Sequence, residues 1–199
     1  FPPVDYYILQ KNFNYKGTHI ENIFKNTKNN ISLSINNHPF IPNLLNGEVI
    51  SIFKKLFKKK GKLINIKNPQ DFRASPIDES KVGVPHAWIP DGKGAYKIVY
   101  KKYETIPDYF NENKVIMAFI PGSSKLIGKL HAKFYKSLIG TNIKTMYFIT
   151  TNKNMEFFFN SKLIEFLVKI TQYTNGQYAI NDYKILNLIT IPEGLKENP

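Results

Sequence analysis

Apolar residues recur along this chain with two different periods. In residues 46–62, NGEVISIFKKLFKKKGK, Val49, Ile50, Phe53, Leu56 and Phe57 fall at the three- and four-residue steps of a helix, and lysine takes the opposite face. Asn46 is the natural cap, since its side-chain oxygen can accept an orphan N–H of the first turn, and Gly61 is the natural stop. A second helix is predicted from Asn160 or Ser161, where Leu163, Ile164, Phe166, Leu167 and Ile170 repeat those steps. Elsewhere the period falls towards two. Strands are expected at PVDYYILQK (3–11), NISLSI (30–35), KLINIK (62–67), AYKIVYKKY (95–103), KVIMAFI (114–120), HAKFYKSLIG (131–140) and MYFITT (146–151). After the second helix come the turn cluster Thr174–Gln177 and an apolar run, ILNLITIP, expected to be a buried strand stopped by Pro192.

Residues 68–94 carry neither period and are punctuated by proline and glycine, so they read as a loop or linker. The pattern therefore predicts an α+β fold with a mixed sheet and a long C-terminal scaffold helix. It divides the chain into a segment 1–67 with a basic helix, a linker 68–94 and a second unit 95–199.

Composition supports a packed fold. Apolar residues make up 42% and aromatics 14% of the 199 positions, enough for a core, and no window approaches a membrane span. The absence of cysteine excludes disulfides and thiolate zinc sites, and fits an intracellular, reducing compartment, cytoplasmic or nuclear. The chain opens on Phe1 and reads as a piece of something longer.

Charge narrows the partner. The net charge is +13, carried by lysine and one arginine, Arg73, against 15 acids. Both Val49–Gln70 and Asn113–Met155 hold seven lysines and no acid. Acid-free basic blocks in a folded chain point to a polyanion, with nucleic acid the first choice and an anionic membrane surface, met by the lysine helix, the second.

Catalytic chemistry is missing. There is no glycine-rich phosphate loop, and His19, His38, His86 and His131 lack metal-ligand spacing. The acids form no defensible nuclease cluster. No catalytic residue, metal or cofactor is assigned to this chain.

The order of a basic region, YFIT, a helix opening NSKLIEFLVK, a turn NGQY and the closing ILNLITIP resembles the target-recognition domain of adenine-specific DNA methyltransferases. These include restriction-linked enzymes and type I specificity subunits. The matching letters are Asn160, Ser161, Lys162 and Leu163, then Gly176 and Gln177, then Ile189, Ile191 and Pro192. FPPVDYYILQK is similar to one of the last strands of the methyltransferase core, although Tyr7 stands where the family has Thr, and HPFIPNLLNGEVISIFKKL resembles the segment that follows. The S-adenosylmethionine loop and the Asn/Asp-Pro-Pro-aromatic loop are absent. The resemblance thus implies a C-terminal recognition part, with methyl transfer done by an upstream half that binds S-adenosylmethionine.

On that reading double-stranded DNA and a methyltransferase catalytic half are the partners. Lys97, Lys101, Lys102 and Tyr103 contact DNA from the strand at 95–103. PGSSKLIGKLHAK adds Ser123, Ser124, Lys125, Lys129, His131 and Lys133, and the NGQY turn adds Asn175 and Gln177, whose amides suit adenine. Lysine grips phosphate and the polar groups read bases. Plainer readings stand beside these: Asn175–Gly176 as a simple turn, Lys54–Lys60 as a solvated helix face, and Tyr147, Phe148 and Phe157–Phe159 as core. The alternative function is a stand-alone basic protein for single-stranded nucleic acid or RNA, stacking bases on aromatics.

Overall fold

The computed structural model describes residues 18–24, 27–33, 46–57, 61–67, 82–90, 95–102, 105–118, 129–136, 138–141, 145–171, 183–192 and 195. In chain order the elements are β1 (Thr18–Phe24), β2 (Thr27–Leu33), α1 (Gly47–Leu56), β3 (Val84–Pro90), β4 (Tyr96–Lys101), a 3-10 turn (Asp108–Phe110), β5 (Lys114–Ala118), β6 (Lys133–Tyr135), β7 (Thr145–Ile149), α2 (Met155–Phe159), α3 (Lys162–Thr171) and α4 (Tyr183–Leu186). The chain is α+β. Its named strands pair antiparallel, in sheets ordered β1-β2, β3-β4 and β6-β5-β7, rather than in one mixed sheet. The single parallel contact among the described residues is the bridge His86–Gly140.

Strand β5 is the centre. All five of its residues are buried, so both sheet faces are covered. Strand alternation sends Val115 and Met117, with Met146 and Phe148 of β7, to the face carrying Val49 and Phe53 of α1 and Ile164, Leu167 and Val168 of α3. Ile116 and Tyr147 go to the other face, against Ala87 and Ile139, with Tyr96, Tyr109 and Tyr135 packed around them. Burying each large aliphatic side chain contributes about 1.5–3 kcal/mol, so the two faces anchor β5 from both sides. Helix α1, the segment 61–67 and the second half of the chain contribute to one hydrophobic core.

Helix α1 starts where expected, with Val49 N–H donating to Asn46 Oδ1 at 2.9 Å. It ends at Leu56, well before Gly61, because the Leu56 carbonyl is taken by the Thr190 amide at 3.3 Å and the Thr190 hydroxyl at 3.2 Å. The C-terminal helix lies where the pattern put it. It is the ten-residue α3, preceded by a separate α2. Ser161 caps it, its Oγ accepting from Ile164 N–H at 3.3 Å.

Three expectations change in the structure. Within the supposed linker, Val84–Pro90 forms β3, with His86 and Ala87 buried. Its two prolines hide the strand pattern, and its pairing with β4 is irregular between Ala87 and Pro90. The run ILNLITIP is the end of α4 followed by an extended stretch, not one strand: Ile64 N–H donates to the Ile189 carbonyl at 3.0 Å and Ile191 N–H to the Lys62 carbonyl at 2.9 Å. KLINIK changes partner midway, bridging Leu63 to Thr190 and Lys67 to Tyr147. Asn187 fills the gap. Its Oδ1 accepts from Ile66 N–H at 2.6 Å and its Nδ2 donates to the Ile66 carbonyl at 3.0 Å, so one side chain replaces a missing strand residue.

Of the remaining strands, 30–33 lies in β2, whose partner β1 was not anticipated, while the one expected at 3–11 lies outside the described residues. No helix among the described residues is long and apolar enough to cross a membrane.

Candidate nucleic-acid interface

Two neighbouring segments bring most of the described candidate residues together. In 129–133 alternate residues face inward: Leu130 is buried and its carbonyl accepts from Ala118 N–H at 2.8 Å, and Ala132 is buried beside it in sequence register. The intervening Lys129 and Lys133 are exposed and His131 is half-buried. Asn160 locks this strip to the helices. Its Oδ1 accepts from Ala132 N–H and its Nδ2 donates to the Ala132 carbonyl, both at 2.8 Å. An expected helix cap thus serves as a tertiary clamp.

Strand β4 lies against the strip through Tyr96. The Tyr96 hydroxyl donates to the His131 carbonyl at 2.8 Å, and its ring meets Tyr135 edge-on at 6.4 Å. His131 holds φ of +48°, a left-handed backbone that turns this carbonyl towards Tyr96. Lys97, next in sequence to Tyr96, is exposed, and strand alternation turns it to the opposite face of β4 from Tyr96. Lys101 and Lys102 follow at the far end of β4, about 13 Å on from Lys97 at the usual strand rise. Lys101 is half-buried and Lys102 exposed. Gly83, at φ +112°, allows the hairpin base to close there, because a Cβ would lie 2.4 Å from the Lys101 carbonyl oxygen.

Beneath this surface is a polar and aromatic layer that sequence reading did not single out. Lys114 is fully buried, its Nζ donating to the carbonyls of Phe110 at 2.9 Å and Ile139 at 3.2 Å. Burial pulls its pKa down to about 8, with Glu112 opposing. His86 is buried with Nδ1 3.0 Å from the Thr141 carbonyl, and desolvation lowers its pKa. Tyr109 stacks on Tyr147 with centroids 4.2 Å apart and shares a hydrogen bond of 3.0 Å with Thr141 Oγ1. Gly140 fits between His86 and Phe110, where a Cβ would come within 2.6 Å of either ring. This layer is structural: it fixes β3, the 3-10 turn and 138–141 on the sheet.

The acids near the strip are engaged. Glu156 of α2 accepts from Phe134 N–H at 2.8 Å and stands 3.6 Å from Lys133 Nζ. Glu165 pairs with Lys162 at 2.9 Å and Lys169 at 2.7 Å, and these two bonds hold its carboxyl down at about 2. No ion pair is formed by Lys97, Lys102, Lys129 or Lys136 among the described residues. Lys136 is exposed just past β6, and the acid-free block around it was the available signal. Glu156 is the first acid after that block. Of the aromatic stripe, Tyr147, Phe148, Phe158 and Phe159 are buried, and Phe157 alone is exposed, at 67%.

Tyr103, Ser123, Ser124, Lys125, Asn175 and Gln177 lie outside the described residues. No group of three His, Asp or Glu side chains among the described residues is arranged to hold a metal. The arrangement suits electrostatic contact with a polyanion. Compared with family models, curated proteins and solved structures, the chain matches none.

Proposed function

We propose that this chain binds double-stranded DNA as the C-terminal recognition part of an adenine DNA methyltransferase of the restriction–modification type. Its catalytic half, which uses S-adenosylmethionine, would be a partner or an upstream segment. The observation that carries the DNA-binding part is the exposed lysines of 129–136, Lys129, Lys133 and Lys136, in a stretch without acids. With them stand the exposed Lys97 of the neighbouring β4, which the Tyr96–His131 hydrogen bond holds against that stretch, and the exposed Lys102 just past β4. Exposed lysines spaced along two adjacent segments suit phosphates, whose neutralisation supplies affinity without sequence information. The methyltransferase part rests on the sequence resemblance, and base reading is assigned to Asn175 and Gln177.

Duplex is favoured over single strand because stacking needs exposed rings, and four of the five residues of the aromatic stripe are in the core. The test is anisotropy of a labelled duplex and of its separate strands from 50 to 300 mM salt, followed by selection from a random duplex library. Tighter duplex binding with a steep salt slope and one enriched sequence containing adenine supports the proposal. Tighter single-strand binding, or no enriched sequence, overturns it.

A further inference from the structure

Lys133 differs from its neighbours on the lysine surface in having a carboxylate of its own. Glu156 reaches it from α2 at 3.6 Å, while the other oxygen of the same carboxylate accepts from Phe134 N–H at 2.8 Å. The two partners differ in exposure, Lys133 side chain being 56% and Glu156 18% accessible. Glu156 is therefore anchored in place by a backbone amide and the α2 helix, whereas Lys133 is free to swing. The negative charge is felt nearby: the Tyr135 hydroxyl is pushed up to about 12, first by burial and then by Glu156.

We infer that Glu156 is a built-in competitor for the phosphate that Lys133 would otherwise bind, so that it weakens and tunes the grip of this surface on DNA. The inference rests on the DNA-binding reading given above. A partly exposed ion pair is worth only about 0–1 kcal/mol, so a phosphate can displace Glu156 from Lys133 at small cost. Once displaced, the fixed carboxylate remains beside the phosphate and repels it. Both effects lower affinity, and both vanish if the carboxylate becomes an uncharged amide. Glutamine keeps an oxygen for Phe134 N–H, so the strand edge stays satisfied.

The experiment compares wild type, Glu156→Gln, Lys133→Ala and the double variant on one labelled 20-base-pair duplex across a salt series, with circular dichroism as the check on folding. Glu156→Gln is expected to bind about two- to fivefold tighter at 100 mM salt, the range that a pair of this strength allows. Its salt slope should steepen by about one unit, for one more phosphate neutralised. Lys133→Ala should cost little in the wild-type background and remove most of the gain in the Glu156→Gln background, leaving only the part due to lost repulsion. If Glu156→Gln binds like wild type, or its gain is undiminished by Lys133→Ala, the competitor role is overturned while DNA binding stands. If neither wild type nor any variant binds the duplex, the DNA-binding reading falls and takes this inference with it.

Discussion

Replacing Lys114 with methionine tests the electrostatics of the interior most directly. The ammonium is fully buried and held by two backbone carbonyls, and its pKa falls from 10.5 to about 8 because burial disfavours the charged form. Between those values the unfolded chain holds the proton more often than the folded one, so stability should rise with pH. That lowering corresponds to a penalty of about 3 kcal/mol at pH 7, shrinking to about 1 kcal/mol at pH 9.5. Lysine should thus gain about 2 kcal/mol over that interval that methionine cannot gain. The window stops below 10 for a reason. Tyr96, Tyr109, Tyr135 and Tyr147 have raised pKa values, so their ionisation in the unfolded chain lowers stability above the ordinary tyrosine value of 10. Urea unfolding of both proteins at pH 7 and pH 9.5, followed by circular dichroism, gives the difference directly. General relief of positive charge repulsion is common to both and cancels. At pH 7 the variant should lie within a few kcal/mol of wild type, since it loses the desolvation penalty but leaves two carbonyls unpaired. A gap that changes by less than about 0.5 kcal/mol between the two pH values would show that the ammonium is not desolvated as argued.

Asn187→Ala removes the amide that pairs with both backbone groups of Ile66 and should destabilise the fold by about 2–3 kcal/mol in urea titration, with a lowered melting temperature. Gly140→Ala forces a methyl group against His86 and Phe110 and should cost about 1–3 kcal/mol, with loss of near-ultraviolet tyrosine dichroism if the layer around Tyr109 loosens. Glu165 has a depressed folded pKa, so its contribution is present above the ordinary value of 4.5 and lost as pH falls towards about 2. Because its partners Lys162 and Lys169 are solvent-accessible, Glu165→Gln should cost only about 0.5–1 kcal/mol at pH 7, and the variant and wild type should converge at pH 2. Lys129→Ala should weaken binding to all duplexes alike and flatten the salt slope by about one unit; a sequence-dependent loss would contradict a phosphate role.

Local pattern sufficed where an element's stability is itself local. Val49 and Phe53 at helical spacing, with Asn46 ahead of them, specify α1 and its buried face, and Ile164 and Leu167 do the same for α3. Strands β4, β5 and β7 were legible because their apolar and β-branched runs are short and bounded. The lysine-rich, acid-free surface was legible as composition. Tertiary structure decided the rest. β3 is a strand because 138–141 and β4 pair with it, a contact that overrides the turn signal of Pro85 and Pro90. Leu56 ends α1 because Thr190, 134 residues away, takes its carbonyl. Asn160 and Asn187 are clamps only because Ala132 and Ile66, 28 and 121 residues distant, arrive beside them. The same holds for charge: Lys114 and Lys133 look alike in sequence, yet one is enclosed by carbonyls and the other held at the surface by Glu156. A side chain's composition fixes what it can do, and long-range packing fixes which neighbour it does it to.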